Sequence, residues 1–159
     1  MPMEKLVKKF YKGKKILITG ASGFKGAWLC YWLNILGAKV YGVGYNPNKN
    51  KSLFFSLGLD KKIVFKLFDI RDYSKLSSFV KKTKPQIIFH LAAQPLILDS
   101  YKKPYLTYTV NTLGTLNILE CARNLNFIKS IVCVTSDKCY ESNFSTKGFK
   151  ENDKLGGID

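Results

Sequence analysis

The chain of 159 residues is poor in the side chains that build metal and disulfide sites. It has one histidine, His90, and four cysteines, Cys30, Cys121, Cys133 and Cys139, with no C-x-x-C pair and no histidine near any of them. That spacing fits neither a structural zinc site nor a disulfide framework. The cysteines are expected to be reduced, with Cys30, Cys121 and Cys133 filling apolar positions. Long apolar runs are lacking too: the nearly apolar stretch Ala27 to Leu36 is broken by Asn34 and is far too short to cross a bilayer. The lysine-rich start leads toward a strand pattern with no apolar leader segment, so the expected location is cytoplasmic. Arginine is scarce, since all but Arg71 and Arg123 of the 26 basic residues are lysine. Against 11 acidic residues this gives a net charge of +15, a balance that can mark a nucleic-acid or anionic-membrane partner. The lysines are scattered, however, with pairs such as Lys61-Lys62 and Lys81-Lys82 at element edges, and no nucleic-acid-binding motif accompanies them. Neither nucleic acid nor membrane is the expected partner. With no internal repeat and no linker, residues 1–159 read as one domain.

What the chain does have is a glycine turn. Ile16-Leu17-Ile18-Thr19 is an apolar strand pattern, Gly20, Gly23 and Gly26 follow as G-x-x-G-x-x-G, and an apolar helix-length segment comes next. Strand, tight loop and helix in that order suit a dinucleotide-binding turn, with the helix N-terminus facing a pyrophosphate. Gly20 would make the tight turn, Gly23 would let the backbone approach the phosphates, and Gly26 would let helix and strand pack closely.

The rest alternates strand and helix signals. Strands are expected at Lys15 to Thr19, Lys39 to Val43, Ile63 to Phe68, Ile87 to Leu91 and Ser130 to Thr135. Helices are expected at about Gly23 to Leu36, stopped by Gly37, at a short piece Leu53 to Leu57, after the cap Asp72, and at Pro104 to Asn124. The two apolar stripes of the first helix, Leu29/Leu33/Leu36 and Trp28/Trp32/Ile35, suggest cover on more than one side. Gly114 within a helix suggests a neighbouring backbone close by. The fold class that follows is α/β, a doubly wound parallel sheet of order 3-2-1-4-5. Its ligand should lie outside the C-terminal ends of strands one and four.

Several polar residues fall near that crevice. About 20 residues past Gly26, where an acid usually meets the ribose hydroxyls, stands Asn46, and Lys49 and Lys51 lie where a 2′-phosphate would be met. NAD over NADP is a preference on these residues. Asp69 closes strand three and reads equally as an adenine contact or a turn aspartate. His90 lies within an apolar strand and reads as a core histidine with a satisfied hydrogen bond. Thr135-Ser136-Asp137-Lys138 ends strand five, where the ligand should sit.

T-G-x-x-G-F-K-G (Thr19 to Gly26), F-D-I-R-D (Phe68 to Asp72), F-H-L-A-A-Q-P-L (Phe89 to Leu96) and N-T-L-G-T-L-N-I-L-E (Asn111 to Glu120) resemble an extended short-chain dehydrogenase/reductase of Rossmann type. T-S-D-K-C-Y (Thr135 to Tyr140) and G-F-K-E-N-D-K-L-G-G (Gly148 to Gly157) narrow the resemblance to the CDP-glucose 4,6-dehydratases. The resemblance implies CDP-glucose as substrate and a tightly held NAD. Hydride leaves the sugar C4, water is eliminated across C5 and C6, and the hydride returns to C6. Carried over by position, Ser136 would hydrogen-bond the sugar near C4, Asp137 would be the acid for loss of the C6 hydroxyl, and Lys138 stands where dTDP-sugar relatives place a glutamate base. Cofactor contacts would fall at Gly20, Ser22, Gly23, Phe24, Lys25, Gly26, Asn46, Asp69, Ile70, Leu91, Ala92, Ala93, Gln94, Asn111 and Thr135. No metal is implied.

In this family a P-Y-S-x-S-K segment should follow, whose tyrosine and lysine serve the C4 hydroxyl and the nicotinamide ribose. The sequence ends at Asp159, and no Y-x-x-x-K follows Tyr140. The expectation is a Rossmann-type domain truncated after the fifth strand and inactive alone. Strand five would then be an uncovered apolar edge. Two partners stay open, a separately encoded C-terminal half and a second copy in a homodimer. A stand-alone dinucleotide-binding module with a regulatory or scaffold role, or a basic nucleic-acid-binding protein, are the alternatives.

Overall fold

The computed structural model describes residues 2–45, 47–49, 51–136, 139–141 and 148–156. Five parallel strands form one sheet: β1 (Lys15–Thr19), β2 (Lys39–Gly44), β3 (Val64–Leu67), β4 (Ile87–His90) and β5 (Ser130–Cys133). Their order is β3-β2-β1-β4-β5, as the alternating pattern predicts. Register pairs Thr19 with Val43 on one side and with His90 on the other, so β1 and β4 end together at the crevice where the winding reverses.

The helices are α1 (Met3–Tyr11), α2 (Phe24–Ile35), the short α3 (Leu53–Ser56) and α4 (Leu59–Lys62), α5 (Tyr73–Thr83), α6 (Ile97–Lys102), α7 (Pro104–Tyr108) and α8 (Gly114–Ala122). A π-helical turn, Thr109–Leu113, joins α7 to α8. The helix expected from Pro104 is therefore one long element with a widened turn in its middle. α2 ends where Gly37, at φ +82°, lets Ala38 N–H reach the Leu33 carbonyl and Gly37 N–H the Asn34 carbonyl, both at 3.0 Å. These paired bonds satisfy carbonyls that the helix itself leaves open. Asp72 caps α5, its carboxylate accepting the Lys75 N–H at 3.1 Å.

Helices cover both faces. One core holds Ile16, Ile18, Cys30, Leu33, Val40, Phe54 and Leu59, and the other holds Leu17, Val43, Ile70, Leu76, Val80, Ile88 and Ile118. Alternate β1 residues feed opposite layers, as a strand buried on both faces requires.

Three expectations are corrected. Of the two α2 stripes only Leu29/Leu33/Leu36 packs inward. Trp28, Trp32 and Ile35 are 48%, 52% and 56% exposed, because the sheet takes one side of the helix. At Gly114 the close neighbour is a side chain, not a backbone: a β-carbon there would run into Ile70, with Cγ1 at 2.8 Å. That contact locks the turn after β3 against α8. Cys133 is half-buried, while Cys30 and Cys121 are buried as expected. Burial pushes the Cys30 thiol up to about 12, so it is an inert apolar group.

β5 pairs with β4 alone among the described residues and lies at the sheet edge, with Val132 42% exposed. No helix among these residues is long and apolar enough to cross a membrane.

Candidate functional site

The glycine turn sits at the C-terminal end of β1. Gly20 adopts φ +70°, the left-handed conformation of a tight turn. A β-carbon on it would stand 2.7 Å from the Leu91 carbonyl carbon and 2.8 Å from the Ala92 nitrogen, so the turn is pressed against the exit of β4. Gly26, in the first turn of α2, leaves no room for a β-carbon beside the Gly20 carbonyl oxygen, and Ala21 Cα would lie at 3.0 Å. Gly23 caps α2, its N–H donating to the Gly20 carbonyl at 3.0 Å. No acidic side chain stands in the first turn of α2. The result is a cradle of bare backbone at an uncancelled positive helix end, suited to a pyrophosphate. Phe24 and Lys25 flank it, both exposed.

Beside the cradle lies a cleft of about 270 Å³ lined by Ser22, Phe24, Pro47, Asn48, Lys51, Ser52 and Leu53. Ser52 Oγ donates to the Ser22 carbonyl at 3.1 Å and ties the β2–β3 crossover to the glycine turn. Lys51 is the one charged lining residue among the described residues. Asn46 lies outside the described residues.

After β3 the chain turns through Asp69, Ile70 and Arg71. The Arg71 guanidinium grips the Asp69 carboxylate, with Nη2 at 2.6 Å from Oδ2 and Nε at 3.1 Å from both oxygens. These bonds hold the Asp69 carboxyl below its ordinary range and outweigh the opposing effect of partial burial. Both Asp69 oxygens are thus engaged within the turn, and the Ile70 side chain is buried against Gly114. Asn117 Nδ2 latches the turn to α8 through the Ile70 and Arg71 carbonyls, at 3.0 and 3.1 Å.

The loop after β4 is equally ordered by side chains. Asn111 Oδ1 accepts the Gln94 N–H at 2.8 Å, and its Nδ2 donates to the Gln94 carbonyl at 3.2 Å. The Gln94 amide is spent locally: Oε1 accepts the Leu96 N–H at 2.7 Å and Nε2 donates to Thr107 Oγ1 at 2.9 Å. Gln94 therefore shapes the loop with its backbone and its side chain alike, both hydrogen-bonded locally. Leu91 N–H donates to the Thr19 carbonyl at 3.1 Å.

His90 is 3% exposed with both ring nitrogens hydrogen-bonded, to Thr19 Oγ1 at 2.6 Å and Thr115 Oγ1 at 3.0 Å. It is the satisfied core histidine the sequence predicts. Thr135 and Ser136 follow β5 and are exposed at the C-terminal end of the sheet. Asp137 and Lys138 lie outside the described residues. Thr19, Arg71, Thr115 and Asn117 were not singled out by motif reasoning. Thr19, at the strand end, carried a signal, since a hydroxyl closing an apolar strand beside the turn needs a partner. Thr115 and Asn117 meet His90 and Ile70 across 25 and 47 residues and carried none, while Arg71 grips Asp69 only two residues away. Among the described residues no group of three His, Cys, Asp or Glu side chains could hold a metal ion.

A dinucleotide fits these residues: the cradle that a β-carbon would fill, the open helix end and the adjoining cleft form one surface. The comparisons with known proteins point the same way. The family model for GDP-mannose 4,6 dehydratase matches residues 17–157. CDP-glucose 4,6-dehydratase of Salmonella typhimurium strain LT2 is 41% identical over 152 residues, covering 96% of this chain and 42% of the relative. Among solved structures, an epimerase of Methanothermobacter thermautotrophicus aligns at TM-score 0.80 and 29% identity, over 96% of this chain and 45% of that one. UDP-glucose 4-epimerase of Thermus thermophilus, solved as a complex with NAD, aligns at 0.76 and 25%, over 90% and 44%. The chain thus spans less than half the length of these relatives. Its sheet order, its glycine turn and the match over most of its length agree: the chain belongs to the GDP-mannose 4,6 dehydratase family.

Proposed function

We propose that residues 1–159 are the NAD-binding part of a CDP-glucose 4,6-dehydratase. The observation that carries this reading is the Gly20–Gly26 cradle, closed against β4 on one side and opening at the N-terminus of α2. The N–H groups of the first α2 turn would hold the pyrophosphate, with Lys25 beside them. Ser22, Ser52 and Lys51 would receive the adenosine ribose, together with Asn46. The main chain at Asp69 and Ile70 would meet the adenine, and Leu91 to Gln94, held by Asn111, would line the nicotinamide side with Thr135. Bound NAD supplies a hydride acceptor that later returns the hydride to the sugar. Ser136 would hydrogen-bond the sugar near C4, Asp137 would protonate the departing C6 hydroxyl, and Lys138 lies next to it in the chain. The 41% identity to the Salmonella enzyme favours CDP-glucose over other nucleotide sugars.

Full turnover needs a base for the C4 hydroxyl, which the family draws from Y-x-x-x-K. No such segment follows Tyr140 in these 159 residues. A polypeptide segment carrying it would complete the site. The purified 159-residue chain, given NAD and CDP-glucose, is expected to form no CDP-4-dehydro-6-deoxyglucose. Loss of a positioned base and its electrostatic partner costs roughly a thousandfold or more in rate. Product detected by nuclear magnetic resonance at a rate typical of an intact enzyme would contradict this reading.

A further inference from the structure

One hydrogen-bonded chain runs through His90, and its donors fix its direction. The Thr115 hydroxyl donates to the Asn111 carbonyl at 2.6 Å. Its hydrogen is therefore committed, and the 3.0 Å bond to His90 must be donated by Nε2. A neutral ring with its hydrogen on Nε2 accepts at Nδ1, so the Thr19 hydroxyl donates there at 2.6 Å. Thr19 Oγ1 in turn accepts the Ala92 N–H at 3.3 Å. At the far end, Asn111 grips both backbone groups of Gln94. The chain starts and finishes on one loop, Ala92 to Gln94, with the imidazole at its centre.

We infer that His90 is a positioning residue for the dinucleotide, its neutral Nε2–H ring fixing the Ala92–Gln94 backbone through Thr19 on one side and Thr115 with Asn111 on the other. The inference rests on the reading that this loop lines the nicotinamide side. The π-helical turn fits the same role, since it is the turn that brings Asn111 to the loop. Widened turns of this kind are frequent at functional sites.

Protonation would break the chain's polarity. A hydrogen on Nδ1 would face Thr19 Oγ1, which is fully buried and already accepts from Ala92, leaving the Thr19 hydroxyl hydrogen without an acceptor among the described residues. The groups bonded to the ring are uncharged, Thr19 from β1 and Thr115 from α8, and its register partner on β5 is Cys133. The Asp69–Arg71 pair reaches this layer at Thr109 Oγ1, where Arg71 Nη1 donates at 3.0 Å. Burial pushes the His90 pKa below 6.5, consistent with a neutral ring at neutral pH. Its contribution to stability is then fully present above 6.5 and is lost as pH falls from there through the lower folded value.

His90 is the only histidine, so a chain labelled with ¹⁵N in histidine reports one ring. The expected spectrum at pH 7 is the neutral Nε2–H form. As the ring protonates, the protection of the Ala92 and Gln94 amides against exchange should fall together, and between pH 7 and pH 5 NAD affinity should fall by up to about tenfold for each pH unit below the ring's own folded pKa. The His90→Gln variant keeps a side-chain donor and does not titrate, so it should bind NAD with little dependence on pH. His90→Leu should bind weakly at both values, with circular dichroism checking that it folds. An Nδ1–H or charged ring at pH 7, or an unchanged pH dependence in His90→Gln, would overturn the inference. A chain that binds no NAD at any pH would instead overturn the site reading and the dinucleotide role with it. The exchange data would then still decide whether the ring holds the loop.

Discussion

Gly26→Ala is expected to destabilise the chain by about 3 kcal/mol and to weaken NAD binding by roughly 100-fold. The sign makes this informative. On helix propensity alone, alanine inside a helix is worth about 1 kcal/mol over glycine, so an uncrowded site would gain stability. Here the new methyl would overlap the Gly20 carbonyl oxygen and stand 2.8 Å from its carbon. Both are backbone, which no side-chain rotation can move aside. The first turn of α2 must shift away from β1 and carry its N–H groups out of place. Gly23→Ala is the matching control for stability, because its β-carbon would meet the Gly20 oxygen at 3.2 Å, a contact that a shift of a few tenths of an ångström relieves. Chemical denaturation and titration calorimetry on the two variants separate the effects.

Phe54→Ala carries the second large effect, an expected loss of about 3–5 kcal/mol. Phe54 is fully buried, with its ring 4.3 Å from Phe65 and 5.4 Å from Phe55. It anchors the crossover from β2 to β3 against the face of the sheet covered by α2. Two residues earlier, Ser52 holds the Ser22 carbonyl, so loosening this anchor also opens the cleft beside the glycine turn. Trp32→Ala removes more atoms, yet Trp32 is half exposed and the change should cost less than about 1 kcal/mol. A denaturation midpoint that moves more for Trp32→Ala than for Phe54→Ala would place the core on the wrong side of α2.

The sheet was legible because each strand announces itself twice, by an apolar run and by a glycine or polar stop. β1 occupies Lys15–Thr19 as expected, and the order 3-2-1-4-5 follows from strands and helices alternating. The cap at Asp72 and the stop at Gly37 were legible for the same local reasons. α1, α4 and α6 were not. α1 packs only Val7 and Tyr11 on the core among many lysines, and α4 and α6 span four and six residues, too few to show a period. The stripe of Trp28, Trp32 and Ile35 misled because an apolar face at helical spacing carries no record of whether anything covers it.

The candidate site divides along the same line. Its glycines and strand ends were readable because their roles are local to the chain. The bonds that shape the loops were not, since Thr19 meets His90 across 71 residues, Asn117 meets Ile70 across 47 and Asn111 meets Gln94 across 17. For Asp69 the sequence left an adenine contact and a turn aspartate equal. The Arg71 fork places its carboxylate in the turn.

The place where a dinucleotide sits is central to every role assigned above. Backbone amide spectra of the ¹⁵N-labelled chain, recorded while NAD is added, test it most directly. The prediction is that the largest shifts fall at Gly20 to Gly26 and at Leu91 to Gln94, with smaller ones at Ser52 and Ile70. Shifts confined to the scattered surface lysines, or none at millimolar NAD, would contradict it.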